Sequence, residues 1–263
     1  MGEFCFRLLM LVTCTQLAVV ESSRAATRDA GDVPGCPAPK PCECERTDGR
    51  LVLNCRQQNL DRVPAFSQSD ELVDELTLAD NRITRLPDDA FRGLAVRRLD
   101  ITENRLAGVS ARAFAGLERH LEELRIQLDP GAAFPSEAVA PLTRVGVLVV
   151  VGYGGRSLPG GALGSLGRVR QLRLTYGRLE GLWPVDVTAM RTSLSVVDLT
   201  GNPLGVVPTA ALATLSNLTE VLLSGCQIAR LGARAFATNW TGLRRIDLSR
   251  NQLEVLVRNI NAH

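Results

Sequence analysis

The segment Leu243–Leu253 reads Leu-Arg-Arg-Ile-Asp-Leu-Ser-Arg-Asn-Gln-Leu, with apolar residues at 243, 246, 248 and 253 and an asparagine at 251. The same spacing recurs as Leu194, Val197, Leu199, Asn202, Leu204 and as Val73, Leu76, Leu78, Asn81, Ile83. First anchors fall at Val73, Val96, Leu121, Val145, Val169, Leu194, Leu218 and Leu243, in steps of 23 to 25 residues. Such a period constrains the fold strongly. One unit cannot bury its own apolar face, so the units must stack and share a continuous core.

Each part of the unit has a physical task. The central apolar-x-apolar alternation has period 2 and predicts a short strand with one face inward. The asparagine follows where the chain leaves the strand, and its amide can both donate to and accept from backbone groups that the turn leaves unpaired. A second marker keeps the same register: Val63-Pro64, Leu86-Pro87, Phe134-Pro135, Leu158-Pro159 and Val207-Pro208 close the descending segments. Phe91, Phe114, Leu163, Leu212 and Phe236 stand five residues after that segment's hydrophobe and are expected to fill the core behind the strands. The pattern is that of a leucine-rich repeat. The resulting fold class is an α/β-type repeat solenoid, a leucine-rich repeat horseshoe with a parallel concave β-sheet and a mostly irregular convex side.

Residues 1–26 resemble a secretory leader: Arg7, an apolar run from Leu8 to Val20, then Glu21-Ser22-Ser23 and Ala25-Ala26. That run is short for a bilayer span. Residues 27–35 form a linker, and Cys5 and Cys14 would leave with the leader. Among the other five cysteines, Cys36, Cys42, Cys44 and Cys55 cluster while Cys226 stands apart. In an exported chain with no histidine nearby, such a cluster points to two disulfides rather than a zinc site, and sequence alone leaves three connectivities open.

From Cys36 the chain reads Cys-Pro-Ala-Pro-Lys-Pro-Cys-Glu-Cys, followed by Leu51-Val52-Leu53-Asn54-Cys55, Leu60 and Val63-Pro64. This resembles the cysteine-rich N-terminal cap of extracellular leucine-rich repeat proteins such as Slit-type guidance proteins, Toll-type receptors and small leucine-rich proteoglycans. The resemblance implies pairing of Cys36 with Cys44 and Cys42 with Cys55, in a cap over residues 36–64. About eight repeats then occupy residues 65–263, the last incomplete.

The asparagine position holds Asn81, Asn104, Asn202 and Asn251 but Asp129, Tyr153, Gly177 and Cys226 in the other repeats. Cysteine is an accepted substitute, so Cys226 is expected to be buried and unpaired. Tyr153 and Gly177 cannot reproduce the bonds of an asparagine, which predicts irregularity around the fourth and fifth repeats. No second cysteine-rich cap follows the last repeat. The expectation is therefore a fragment of a longer protein, such as the ectodomain of a single-span receptor, or a bare end covered by something else.

Little in the sequence supports catalysis. Its two histidines, His120 and His263, stand in no motif with a nucleophile. Gly152-Tyr153-Gly154-Gly155 lacks the strand-to-helix setting of a phosphate loop. No cofactor or metal is expected.

Binding is the natural use of such a stack, because the outward strand positions serve no core. They are mixed polar and charged except in the fourth repeat, where Val147, Val149 and Val151 all point outward, flanked by Arg125 and Arg173. These residues are the expected contact centre for a protein ligand or receptor, or for a second copy of this chain. A net charge of +2 carried almost entirely by arginine makes a sulfated glycan a weaker alternative, and nothing indicates nucleic acid. Sequons at Asn217 and Asn239 predict glycosylation at the solvent edge of an exported protein. The expected role is that of a secreted or cell-surface recognition module in adhesion or guidance, with a structural part in the extracellular matrix as the rival.

Overall fold

An Asp48-Gly49 turn with both residues at positive φ starts the fold, closing the hairpin of β1 (Glu43–Thr47) and β2 (Arg50–Asn54). Two left-handed residues match the right-handed twist of a tight hairpin. The computed structural model describes residues 35–232, 235–236 and 242–254. Residues 1–34, on which the expected leader and most of the expected linker fall, and Asn239 and His263 lie outside them.

From β2 onward every neighbour in the main sheet is parallel. The strands are β3 (Leu72–Thr77), β5 (Ala95–Leu106), β7 (Glu123–Leu128), β8 (Val147–Val151), β9 (Gln171–Thr175), β10 (Val196–Asp198), β11 (Glu220–Leu222) and β12 (Arg245–Asp247). Two short strands, β4 (Arg85–Leu86) and β6 (Gly108–Val109), pair beside it. The ten-stranded order β1-β2-β3-β5-β7-β8-β9-β10-β11-β12 follows the chain, one strand per coil. This is the parallel stack of a leucine-rich repeat horseshoe, with a disulfide-bonded cap at its N-terminal edge. Cys36 is bonded to Cys44 and Cys42 to Cys55, with Cα–Cα distances of 5.8 and 4.4 Å.

Among the described residues, the returning segments carry only single turns of helix, α1 (Ser136–Val139), α2 (Pro184–Val187) and α3 (Thr209–Leu212), with a 3-10 turn at Thr188–Met190. Prolines explain where two of them begin. Pro135 and Pro208 occupy the N-caps of α1 and α3, where a missing N–H is not required by the helix.

Behind the sheet the core is continuous. Anchors Val73, Val96, Leu121, Val145, Val169, Leu194 and Leu218 are buried, and Leu243 partly so. Phe91, Phe114, Leu163 and Leu212 are buried as the spacing requires, and Phe236 packs on the core partly covered. The rings of Phe91 and Phe114 stack at 6.1 Å between centroids.

The asparagines act as the sequence suggests. Asn202 Nδ2 donates to the carbonyls of Leu174 and Leu199 at 2.7 and 2.8 Å, while its Oδ1 accepts from Leu179 N at 3.1 Å. Asn81, Asn104 and Asn251 likewise tie their own coil to the preceding one. The residue just before this position has positive φ in Asp80, Glu103, Gly152, Tyr176, Gly201, Gly225 and Arg250. The chain thus leaves the strand through one left-handed residue and is pinned by the next.

The expected irregularity lies elsewhere than in the sheet. Strands β7, β8 and β9 pair residue for residue without a shift, and the register shifts occur at Leu51/Val52 and between Ile101 and Leu106. Backbone replaces side chain in this region. At Asp129, a carboxylate has no hydrogen to donate, so its Oδ1 turns to Gly131 N while Asp129 N bonds to Leu106 O at 3.0 Å. Tyr153 is buried, its hydroxyl donating to Ser157 O at 3.1 Å and its ring edge-on to Phe134 at 5.4 Å. Beside it the coils close up. A Cβ on Gly177 would lie 2.5 Å from the carbonyl oxygen of Tyr153, and Arg178 N bonds to that oxygen at 2.9 Å.

Candidate protein-binding face

Alternation along the parallel strands sends every second side chain to the outward face, and the register aligns those side chains in columns. The middle column runs Thr77, Asp100, Arg125, Val149, Arg173, Asp198, Leu222, Asp247. Val149 therefore has Arg125 directly beside it on one strand and Arg173 on the other. Val147 lies between Glu123 and Gln171, and Val151 between Gln127 and Thr175.

The two arginines are held. Arg173 Nη1 lies 3.0 Å from Asp198 Oδ2, and its Nη2 contacts Gln171. Arg125 Nε pairs with Glu123 on its own strand. A further pair, Arg98 with Glu75 at 3.3 Å, continues the network toward the cap. Alternating signs on adjacent strands hold these long side chains in fixed arrangements, reducing the freedom a partner would have to remove on binding. Arg125 and Asp100 also line a cleft of about 260 Å³ with Glu75, Arg98 and Glu123.

The outward positions are not equally open. Val149 retains only 9 % of its surface, and Thr175, Val196 and Asp198 are also buried, whereas Val147 and Val151 are partly exposed. A short side chain between two arginine stems is covered by their methylenes. The reading of Val149 as an open apolar contact is corrected accordingly: it forms the floor, and Val147 and Val151 the accessible rim. Ala79 is buried as well, and its carbonyl accepts from Gln57 N of the cap at 3.2 Å.

Sequence spacing did not single out Tyr176, which is 68 % exposed beside the outward Thr175 and lies over Gly201, where a Cβ would be 2.7 Å from its ring. The available signal was an aromatic at a position held elsewhere by Asp80, Glu103, Gly152, Gly201, Gly225 and Arg250.

Asn217 is exposed, and its side-chain amide donates to Thr192 O. Cys226 is free and buried, its thiol donating to Leu199 O at 3.2 Å, and burial raises its pKa. His120 is exposed and far in sequence from any nucleophile pattern. Among the described residues no His, Cys, Asp and Glu group suits a metal ion, and no helix is long and apolar enough to cross a membrane.

A leucine-rich repeat family model matches residues 71–127. Leucine-rich repeat-containing protein 3 of Danio rerio is 30% identical over 138 residues, covering 52% of this chain and 45% of that protein. The protein of the same name in Homo sapiens is 30% identical over 110 residues, covering 41% of this chain and 42% of that one. Leucine-rich repeat-containing protein let-4 of Caenorhabditis elegans is 29% identical over 87 residues, covering 32% of this chain and 11% of that one. The chain spans less than half the length of these relatives, and neither they nor the matched model indicate a catalytic family. Stacked coils, the asparagine spine, the disulfide-bonded cap and these similarities agree that the chain has the leucine-rich repeat fold.

Proposed function

We propose that this chain is the recognition module of a secreted or cell-surface protein, binding a protein ligand or receptor on the outward face of its sheet. The observation that carries this reading is the composition of β8. Val147, Val149 and Val151 line its outward side between two strands whose arginines are already fixed by carboxylates. An apolar centre ringed by ordered charged groups is the arrangement that concentrates binding energy in a few residues. The location rests on two disulfides, which persist in oxidising compartments, and on the leader-like residues 1–26. Glycosylation at Asn239 fits the same location, whereas the Asn217 amide donates to Thr192 O beside Arg144, Arg168 and Arg170 and is left bare in this reading. Adhesion and guidance are the roles such a face suits.

A second copy of this chain is a less suitable occupant. Face-to-face packing on a twofold axis centred at Val149 would set Arg125 against Arg125 or against Arg173, and like charges directly opposed disfavour the pairing.

The test is a binding screen against purified extracellular domains with wild type, Val147→Glu and Val151→Glu, each checked by thermal melting. A partner retained by wild type and lost by both folded variants supports the reading. Binding that is indifferent to both variants would sink it. Sedimentation of the wild type separates the dimer alternative.

A further inference from the structure

A second surface lies on the flank of the sheet, where the chain enters the strands. Arg144 and Arg168 occupy equivalent positions in successive repeats, each just before the first anchor, and Arg170 follows the anchor of the fifth. Arg170 reaches back across the preceding coil: a Cβ on Gly146 would lie 3.2 Å from its Nη2. The three guanidinium groups thus line one open cleft of about 620 Å³, shared with Gly146, Thr192, Ser193 and Asn217.

Three features distinguish this cleft. First, Arg97, Arg98, Arg125 and Arg173 each hold a carboxylate, whereas among the described residues Arg144, Arg168 and Arg170 hold none. Glu122 is the one acid in the lining, leaving an excess of two positive charges from three arginines and one glutamate. Second, no apolar side chain lines the cleft. A protein partner gains most of its affinity from buried aromatic and aliphatic anchors, and here there is nothing to receive them. Third, the neighbouring coils present fixed hydroxyl groups. Ser193 Oγ, in the cleft lining, donates to Val169 O at 2.8 Å, and Ser195 Oγ, two residues on, donates to Arg170 O at 3.0 Å, which fixes both oxygens.

We propose that this cleft binds a linear sulfated polysaccharide, with Arg144, Arg168 and Arg170 holding its sulfate groups and the Ser193 oxygen accepting from a hydroxyl. Adjacent strands stand about 4.8 Å apart, so equivalent arginines in successive repeats meet acidic groups spaced by about one sugar ring. Planar guanidinium groups bind such oxyanions through paired hydrogen bonds. The site is separate from the valine face, and the inference does not depend on that face binding a protein.

Heparin hexasaccharide binding is measured by calorimetry across a salt series. The variants are Arg144→Ala/Arg168→Ala/Arg170→Ala and a control with equal charge loss elsewhere, Arg82→Ala/Arg105→Ala/Arg112→Ala. Melting curves confirm folding, and Arg168→Gln alone serves if the triple variant melts early. The wild type should bind, and the cleft variant should lower the slope of log affinity against log salt by about 2, while the control keeps the wild-type slope. Fully desulfated heparin should not bind. Three results would overturn the proposal: unchanged affinity in the cleft variant, an equal loss in the control, or polyglutamate binding the cleft as tightly as heparin.

Discussion

Gly154 stands against the backbone of Pro130 in the preceding coil so closely that a Cβ on it would lie 1.7 Å from the carbonyl oxygen. The two coils meet where the repeat pattern has lost its asparagine and the backbones have drawn together instead. Gly154→Ala must push them apart, and a destabilisation of about 1–3 kcal/mol is expected. Gly160, with open space around its Cα, is the control. Gly160→Ala should be neutral or slightly stabilising. Chemical denaturation of both variants decides the matter, and equal midpoints would contradict the close approach.

The spine residues should differ in weight. Asn202→Ala leaves Leu179 N and the carbonyls of Leu174 and Leu199 without their side-chain partner in a buried setting. A loss of about 3 kcal/mol or more is expected. Asp129→Ala, by contrast, removes a bond to Gly131 N from a partly exposed turn while the backbone bond to Leu106 stays. It should cost about 1 kcal/mol or less.

Asp186 gives the stability a pH dependence. Burial raises its carboxyl pKa, partly offset by the hydrogen bond from Trp183 N at 2.8 Å. The folded chain therefore keeps a proton that the unfolded chain releases. Stability falls as pH rises from the ordinary carboxylate range to the raised folded value, then levels off. Asp186→Asn retains an acceptor for Trp183 N and removes the charge, so it should abolish this decline and be more stable than wild type at neutral pH. Melting temperatures from pH 3 to 7 would show the two curves diverging upward in pH.

Cys226 should resist thiol reagents while the chain is folded. Its sulfur is buried, donates to Leu199 O, and its raised pKa leaves little thiolate at neutral pH. Mass spectrometry after maleimide treatment should find residue 226 unmodified in buffer and fully modified in denaturant. Rapid native labelling would contradict its place in the core.

The repeat period alone carried the strands, their direction and the core, because each anchor and each Phe91-like residue recurs at a spacing that only one stacking satisfies. Asn81, Asn104, Asn202 and Asn251 could be given their bonding task from chemistry alone. The relative openness of the face could not be read in the same way. Val149 becomes a floor only because Arg125 and Arg173 fall beside it and are long enough to cover it, a relation between strands rather than along one. The flank cleft stayed hidden for a similar reason. Arg144 and Arg168 read as isolated surface charges until the coils bring them together, and Arg170 joins them only by crossing Gly146. Tyr153 and Gly177 looked like defects because the pattern describes side chains, while the repair is made by the backbone.

The spine of side-chain amides, described above as a device for tying each coil to the one before, is interrupted between Asn104 and Asn202; at Cys226, the other position without an amide, the thiol bonds to Leu199 O in its place. Its links reach only to nearest neighbours, so the interruption divides one scaffold into two modules joined by sheet bonds and packing. Such a joint is where whole coils can be gained or lost during evolution without disturbing either module's internal bonding. It also falls beneath Val149, so a change in repeat number there would reshape the recognition surface while leaving the cap and the distal coils as they are.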